Sequence, residues 1–69
     1  MSKKKRDLDE LLDVWAVHGP GMWENELSSL LKDWFAVSSD DAGGIVAYFA
    51  EEEDAYRYRL DQINRELNG

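Results

Sequence analysis

The 69-residue sequence contains no cysteine, one histidine and one proline. Without cysteine the chain has no disulfides and no thiolate metal ligands, and one histidine is too few for a zinc site of the usual ligand types. No apolar run approaches the ~20 residues that a membrane-spanning helix needs. A chain of this length forms at most one domain with a small core. We therefore expect its three Trp, three Tyr and two Phe residues to supply most of the buried area.

The sequence also lacks the residue patterns that carry catalysis or bind cofactors. His18 precedes Gly19-Pro20-Gly21, and none of the serines lies in a recognisable nucleophile motif. Gly43-Gly44 lacks the glycine spacing and the following lysine of a phosphate-binding loop. The acidic groups at Asp40-Asp41 and Glu51–Asp54 lack the alternating ligands and central glycine of a calcium loop. We predict no enzyme activity, no cofactor and no metal site.

Negative charge dominates, with a net charge of −7, but its distribution is uneven. Four of the eight basic residues fall within Lys3–Arg6, so the remaining chain carries four basic against fifteen acidic residues. Residues 1–7 are expected to form a flexible basic tail, and residues 8–69 a single small domain. Such an acidic domain repels nucleic acid and anionic membranes and attracts basic protein surfaces, although acidity also serves solubility alone. No apolar segment of the signal-peptide type follows the basic start, and together with the absence of cysteine this predicts a cytoplasmic protein.

A β-hairpin is the clearest local feature. Two short apolar runs, Phe35–Ser39 and Ile45–Phe49, flank the turn residues Asp40–Gly44. β-Branched and aromatic residues suit a pleated, half-buried surface, and glycine supplies the positive φ that such turns require. A connection of this length with glycine is typical of a hairpin.

Two further segments have the apolar spacing of amphipathic helices. The first spans Met22–Trp34, and its stripe consists of Trp23, Leu27, Leu30, Leu31 and Trp34. The second spans Glu51–Leu67, and its stripe consists of Tyr56, Leu60, Ile63 and Leu67. Residues 8–18 fit a helical face or, at their end, a strand. We predict a strand over residues 12–18, because a hairpin alone is marginally stable and needs a third strand.

The predicted order is therefore β-α-β-β-α, an α+β two-layer sandwich with both helices on one face of a three-stranded antiparallel sheet. Ile45–Phe49 is the most apolar strand and is expected at the centre, in the strand order 1-3-2. The alternative is a three-helix bundle whose first helix covers residues 7–17.

With both helices on one side, the other face of the predicted sheet is left without a covering element. It is expected to carry Val14, Ala16, His18, Ala36, Ser38, Val46 and Tyr48, which are mostly small or apolar. Exposed apolar patches mark interaction sites, although small domains also expose small residues to water. Tyr58 is predicted to project from the second helix among charged residues, as a further candidate contact. Both edges of this sheet, at residues 14–18 and 35–39, lack the lysine or proline that blunts an edge strand.

These features predict a small acidic, non-enzymatic protein–protein interaction or regulatory module. Its partner would be another protein or a second copy of the chain, bound through a sheet edge or the uncovered face. The alternative is a nucleic-acid-related protein: an acidic mimic of DNA, or a protein that contacts DNA or RNA through its basic tail.

Overall fold

The computed structural model describes residues 6–23 and 29–68 and shows an α+β fold. Two helices and a three-stranded antiparallel sheet follow one another as α1 (Leu8–Val14), β1 (Trp15–His18), β2 (Phe35–Ser39), β3 (Gly44–Phe49) and α2 (Glu52–Asn68). The fold class is as predicted, and the three-helix bundle is wrong. The order of elements is α-β-β-β-α rather than β-α-β-β-α, because the first helix precedes the first strand.

The ambiguous first segment is a helix and then a strand. The Asp7 carboxylate caps α1 by accepting a hydrogen bond from the Glu10 amide at 2.9 Å. The Trp15 amide still donates to the Leu11 carbonyl, but the Trp15 backbone (φ −104°, ψ 130°) already has the extended conformation of β1. Leu11 is fully buried. Val14, predicted in the strand, is instead the last residue of α1.

The strand order is β1-β2-β3, so the predicted order 1-3-2 is wrong. β2 is the central strand, and Ala36, Val37 and Ser39 on it are buried. A central strand is paired along both edges, and the small side chains of Ala36 and Ser39 allow close packing on its two faces. The apolarity of β3 reflects burial against α2 and Trp23, and it does not determine which strands lie beside it.

Strand pairing separates the sheet into two faces, since directly paired residues point to the same side. We call the side toward α2 the helix face; it carries Trp15, Val17, Phe35, Val37, Ser39, Ala47 and Phe49. The second face carries Ala16, His18, Ala36, Ser38, Ile45 and Tyr48. Ile45 lies on the second face because the register shifts between Val37 and Ser38 and pairs it with Ser38.

The hairpin between β2 and β3 is confirmed. Its turn is closed by hydrogen bonds from the Ala42 amide to the Ser39 carbonyl (3.1 Å) and from the Gly43 amide to the Asp40 carbonyl (3.2 Å). Gly43 has φ 78°, which residues with a side chain rarely adopt. The turn chemistry therefore acts as the sequence predicts.

The predicted helix over Met22–Trp34 is not present in the part of this segment that the structure describes. Residues 24–28 lie outside the described residues, and residues 20–22 and 29–34 form turns and bends. Trp23 is buried, with 6% of its surface exposed, whereas Met22 and Leu30 are each 76% exposed. This connection buries one large ring, that of Trp23, and leaves Met22 and Leu30 in solvent. Apolar residues at helical spacing therefore occur here in a segment whose described residues form no helix.

α2 is the second predicted helix, but a different side of it faces the sheet. Its buried residues are Ala55 and Ile63, and Tyr58 packs on Phe49, with ring centroids 5.3 Å apart. Tyr56 and Leu60, predicted to be core residues, are exposed. The predicted stripe and the side that faces the sheet both include Ile63, and they are rotated by less than half a turn around the helix axis. Apolar spacing alone therefore does not decide between them.

Arg6 and Asp7 fall within the predicted basic tail, and both are held in place. The Arg6 guanidinium donates to the Asp41 carboxylate at 2.5 and 2.9 Å, and Asp7 caps α1. The hydrogen bond from Arg6, aided by charge attraction and opposed by desolvation, holds the pKa of Asp41 below its ordinary value of 3.8. The rest of the predicted tail, residues 1–5, lies outside the described residues.

This ion pair makes stability depend on pH in a defined direction. A lowered carboxyl pKa contributes stability that is complete above the ordinary pKa and is lost as the pH falls through the lowered folded-state pKa. Asp41→Asn should therefore lower the urea midpoint slightly at pH 7, since both partners are exposed. Below the lowered pKa of Asp41, where its carboxyl is protonated, the two proteins should converge. A difference that persists there would mean that Asp41 acts through something other than its charge.

Candidate interaction surfaces

The second face of the sheet holds most of the residues predicted as an open contact surface. Ala16, His18, Ala36, Ser38 and Tyr48 all lie on it. The remaining three predicted residues do not. Val14 belongs to α1, Val46 lies where the β2–β3 register shifts, and Tyr58 lies on the helix face.

Trp23 covers part of this second face. Its ring lies 5.0 Å from the ring of Tyr48, and its Nε1 donates to the Trp34 carbonyl at 3.1 Å, which ties the two ends of the β1–β2 connection together. Beside Tyr48 in the register, Ala36 is 0% exposed. The expectation that no segment covers this face is wrong, because Trp23 packs on it.

His18 and Ser38 lie together on the second face. His18 Nε2 and Ser38 Oγ are 2.8 Å apart and partly buried. A serine beside a histidine is the start of a nucleophile–base pair, which also needs a group that orients the imidazole and donors for an oxyanion. Among residues 6–23 and 29–68, no other side chain hydrogen-bonds to the His18 ring. Within the described residues, this pair forms a half-buried polar contact.

Tyr58 was expected to project into solvent, but it is half-buried between two aromatic rings. Its ring lies 6.4 Å from that of Trp15 in an edge-on arrangement, and 5.3 Å from that of Phe49. These contacts join α2 to β1 and β3. Tyr58 is therefore part of the core on the helix side.

A groove of about 400 Å³ lies beside this aromatic cluster, and sequence reasoning missed it. Phe49 and Tyr58 provide its apolar surface, and Asp54, Arg57 and Asp61 of α2 provide its charged surface. Arg57 pairs with Glu53 at 2.7 Å and lies 3.9 Å from Asp54, and Asp61 pairs with Arg65 at 3.2 Å. A sequence signal existed: Asp54, Tyr58 and Asp61 are spaced i, i+4, i+7, and α2 begins three residues after Phe49.

The helices α1 and α2 contact each other, and both expose large apolar side chains. Arg59 donates to the Leu12 carbonyl at 2.9 Å and to the Trp15 carbonyl at 2.8 Å. Arg6, just before α1, lies 4.0 Å from Glu66 near the end of α2, so the two helices run in opposite directions. Each of the two helices exposes one apolar pair at i, i+4 spacing. We call these four side chains the boundary patch: Leu8 and Leu12 on α1, and Tyr56 and Leu60 on α2.

The edges of the sheet also differ from those expected. β2 is paired on both sides, so the edge strands are β1 and β3. The predicted edge at residues 35–39 is therefore wrong, whereas the predicted edge at β1 is correct. The backbone of β1 is partly engaged, since Arg59 donates to the Trp15 carbonyl.

Neither a metal site nor a membrane helix is found in the described part of the chain. No group of three or more His, Cys, Asp or Glu side chains converges there to hold a metal ion. Neither α1 nor α2 is long and apolar enough to cross a membrane.

Comparison with known proteins adds nothing to this picture. No protein-family model matches the chain, and no similar curated protein or solved structure is found. The functional argument therefore depends on the surfaces described above.

Proposed function

We propose that this protein is a small, acidic, non-enzymatic module of the cytoplasm that binds a protein partner. The observation that carries the proposal is the boundary patch. Leu8, Leu12, Tyr56 and Leu60 are between 37% and 53% exposed. Exposed large apolar side chains on two helices that contact each other are typical of an interaction site.

The surroundings of the boundary patch favour a basic partner. Asp9 and Asp13 are exposed on α1 beside it, and Glu53 is exposed on α2. The net charge of −7 attracts basic surfaces over a distance of about a Debye length, ~10 Å, and repels a second copy of the chain. A heterologous partner is therefore preferred to self-association.

Nucleic-acid binding through the basic tail is the weaker alternative. Arg6, the one residue of the Lys3–Arg6 run that the structure describes, is engaged with Asp41 and lies near Glu66.

The proposal predicts that partner binding depends on Leu60. Replacing this 53% exposed residue by glutamate places a charge in the boundary patch. Capture of the partner by the tagged protein should fall by at least about 30-fold, which corresponds to roughly 2 kcal/mol. The readout is quantitative mass spectrometry of captured proteins, with circular dichroism to check that the variant is folded.

Leu30→Glu provides the matched control, because Leu30 is 76% exposed and lies outside the boundary patch. It should retain the partner. If no captured protein distinguishes the Leu60 variant from the Leu30 variant, the boundary patch is not a binding surface. A dimer in light scattering that Leu60→Glu dissociates would replace the heterologous partner by a second copy.

A further inference from the structure

α1 carries two rows of side chains that the fold leaves in contact with solvent. Leu8 and Leu12, the apolar row, are 49% and 37% exposed. Asp9 and Asp13, the acidic row, each follow one of these leucines and are exposed as well. A helix turns by about 100° per residue, so the acidic row lies about 100° around α1 from the apolar row, on the side away from the buried Leu11. Between the core and the acidic row, α1 therefore exposes a strip of leucine.

The acidic row has no cationic partner among residues 6–23 and 29–68. Arg6, just before α1, pairs with Asp41 of the hairpin turn, and α1 itself contains no basic residue. The row thus differs from Glu53, Asp54 and Asp61 of α2, whose carboxylates lie against arginines of the same helix. Two unpaired carboxylates one helical turn apart, about 6 Å along the axis, attract a partner that carries cations at the same spacing.

The apolar row favours a helix as the element that binds. α2 contacts α1 and exposes Tyr56 and Leu60 at the same i, i+4 spacing. Side chains four residues apart form the ridges through which α-helices pack on one another, at interaxial distances of about 8–10 Å. A helix bound in this way contributes apolar anchors at i, i+4 and i+7, and basic side chains next to those anchors would meet the acidic row. A second copy of this chain would bring a further −7 to the same surface and is repelled.

We propose that the two rows of α1 bind an amphipathic helix of a partner protein, in which lysines or arginines one helical turn apart flank the apolar side chains. The apolar side chains of that helix pack on Leu8 and Leu12, and its cations pair with Asp9 and Asp13. This inference rests on the proposed function, because the apolar row is part of the boundary patch. It adds the secondary structure and the charge pattern of the segment that binds.

The test uses two synthetic alanine-based peptides of equal composition, each of about five helical turns or ~18 residues. Both carry leucines at i, i+4 and i+7. The first places its lysines next to the leucines, and the second places them on the opposite face. When added to the isotopically labelled full-length chain, the first peptide should bind at least about tenfold more tightly, with the largest amide shift changes in residues 8–14. No binding, equal affinities or shifts centred outside α1 would overturn the proposal.

Charge reversal in the acidic row provides the matched comparison. Asp13→Lys should weaken binding of the first peptide about tenfold, and a cation in the last turn of α1 suits the helix dipole, so the helix should persist. Asp33→Lys makes the same charge change at an exposed residue near the other end of β1, where His18 pairs with Ala36. It should change the affinity by less than about threefold. Equal effects of the two substitutions would mean that only the net charge attracts the peptide, and the assignment to α1 would be wrong.

The outcome is separable from that of the proposed function. If capture of a partner depends on Leu60 but the first peptide does not bind at α1, the helix proposal fails and the proposed function stands. If the peptide binds at α1 and requires Asp13, but no captured protein depends on Leu60, the helix-binding surface stands on α1 alone and the contribution of α2 to the proposed function fails.

Discussion

Leu11→Ala is expected to lower the free energy of unfolding by about 2–5 kcal/mol. Leu11 is 0% exposed and is one of the largest fully buried side chains among the described residues. Its removal leaves a cavity where α1 contacts β1 and α2. Because a domain of this size is only marginally stable, a loss of this magnitude should leave a large unfolded fraction at room temperature. Urea unfolding followed by tryptophan fluorescence measures the change.

Leu60→Ala removes the same atoms from a residue that is 53% exposed, and it serves as the matched control. It should cost less than about 1 kcal/mol, since most of the deleted surface is already in contact with water. The helical spacing alone predicts a large loss of stability for Leu60→Ala, because it makes Leu60 a core residue of the second helix. A larger loss at Leu60 than at Leu11 would show that α2 packs in the orientation predicted from sequence.

Arg59→Ala is expected to cost about 1.5–3 kcal/mol, the range for hydrogen bonds from a charged donor. Arg59 donates to the carbonyls of Leu12 and Trp15, at the junction between α1 and β1. The last carbonyls of a helix have no partner within the helix, and this guanidinium supplies one from α2. Arg59→Lys should recover only part of the loss, because one ammonium cannot reproduce the planar arrangement of guanidinium donors.

Arg57→Ala is the control for Arg59→Ala. Arg57 is also in α2, but its side chain is 70% exposed and pairs with Glu53, whose side chain is 80% exposed. Exposed pairs of this kind contribute a few tenths of a kcal/mol. Comparable losses for both arginines in urea unfolding would mean that the α1–β1 junction does not depend on Arg59.

The parts of the fold that the sequence predicts correctly are those encoded by local chemistry. The turn at Asp40–Gly43 follows from its glycine and aspartate residues, and the flanking alternation defines the strands on either side. α2 was predicted at Glu51–Leu67 and lies at Glu52–Asn68. In each case the residues that determine the structure are within a few positions of one another.

The errors concern arrangements that depend on distant residues. Trp23 and Trp34 have helical spacing, but the indole of Trp23 packs on Tyr48 and donates to the Trp34 carbonyl. The first contact joins residues that are far apart in sequence, and no local pattern reveals it. Local patterns do not reveal strand order either, because it depends on which strand pairs with each edge of β2.

The candidate site was predicted in part. Strand alternation placed Ala16, His18, Ala36, Ser38 and Tyr48 on one face, as observed. Alternation does not reveal that Trp23 covers part of this face, because Trp23 and Tyr48 are far apart in sequence. Tyr58 was assigned to solvent because the helical stripe was centred on Tyr56 and Leu60. The groove that Tyr58 lines was missed for the same reason.

The central claim is that Trp23 covers part of the second face while Tyr58 packs on the helix face, and that the boundary patch stays exposed for a partner. Nuclear Overhauser contacts between aromatic protons test it directly. The account predicts contacts from the Trp23 indole to the Tyr48 ring and from the Tyr58 ring to Phe49. Contacts from Trp23 to Phe35 or Val37 instead would place this segment in the helix layer, leave the second face open and contradict the account.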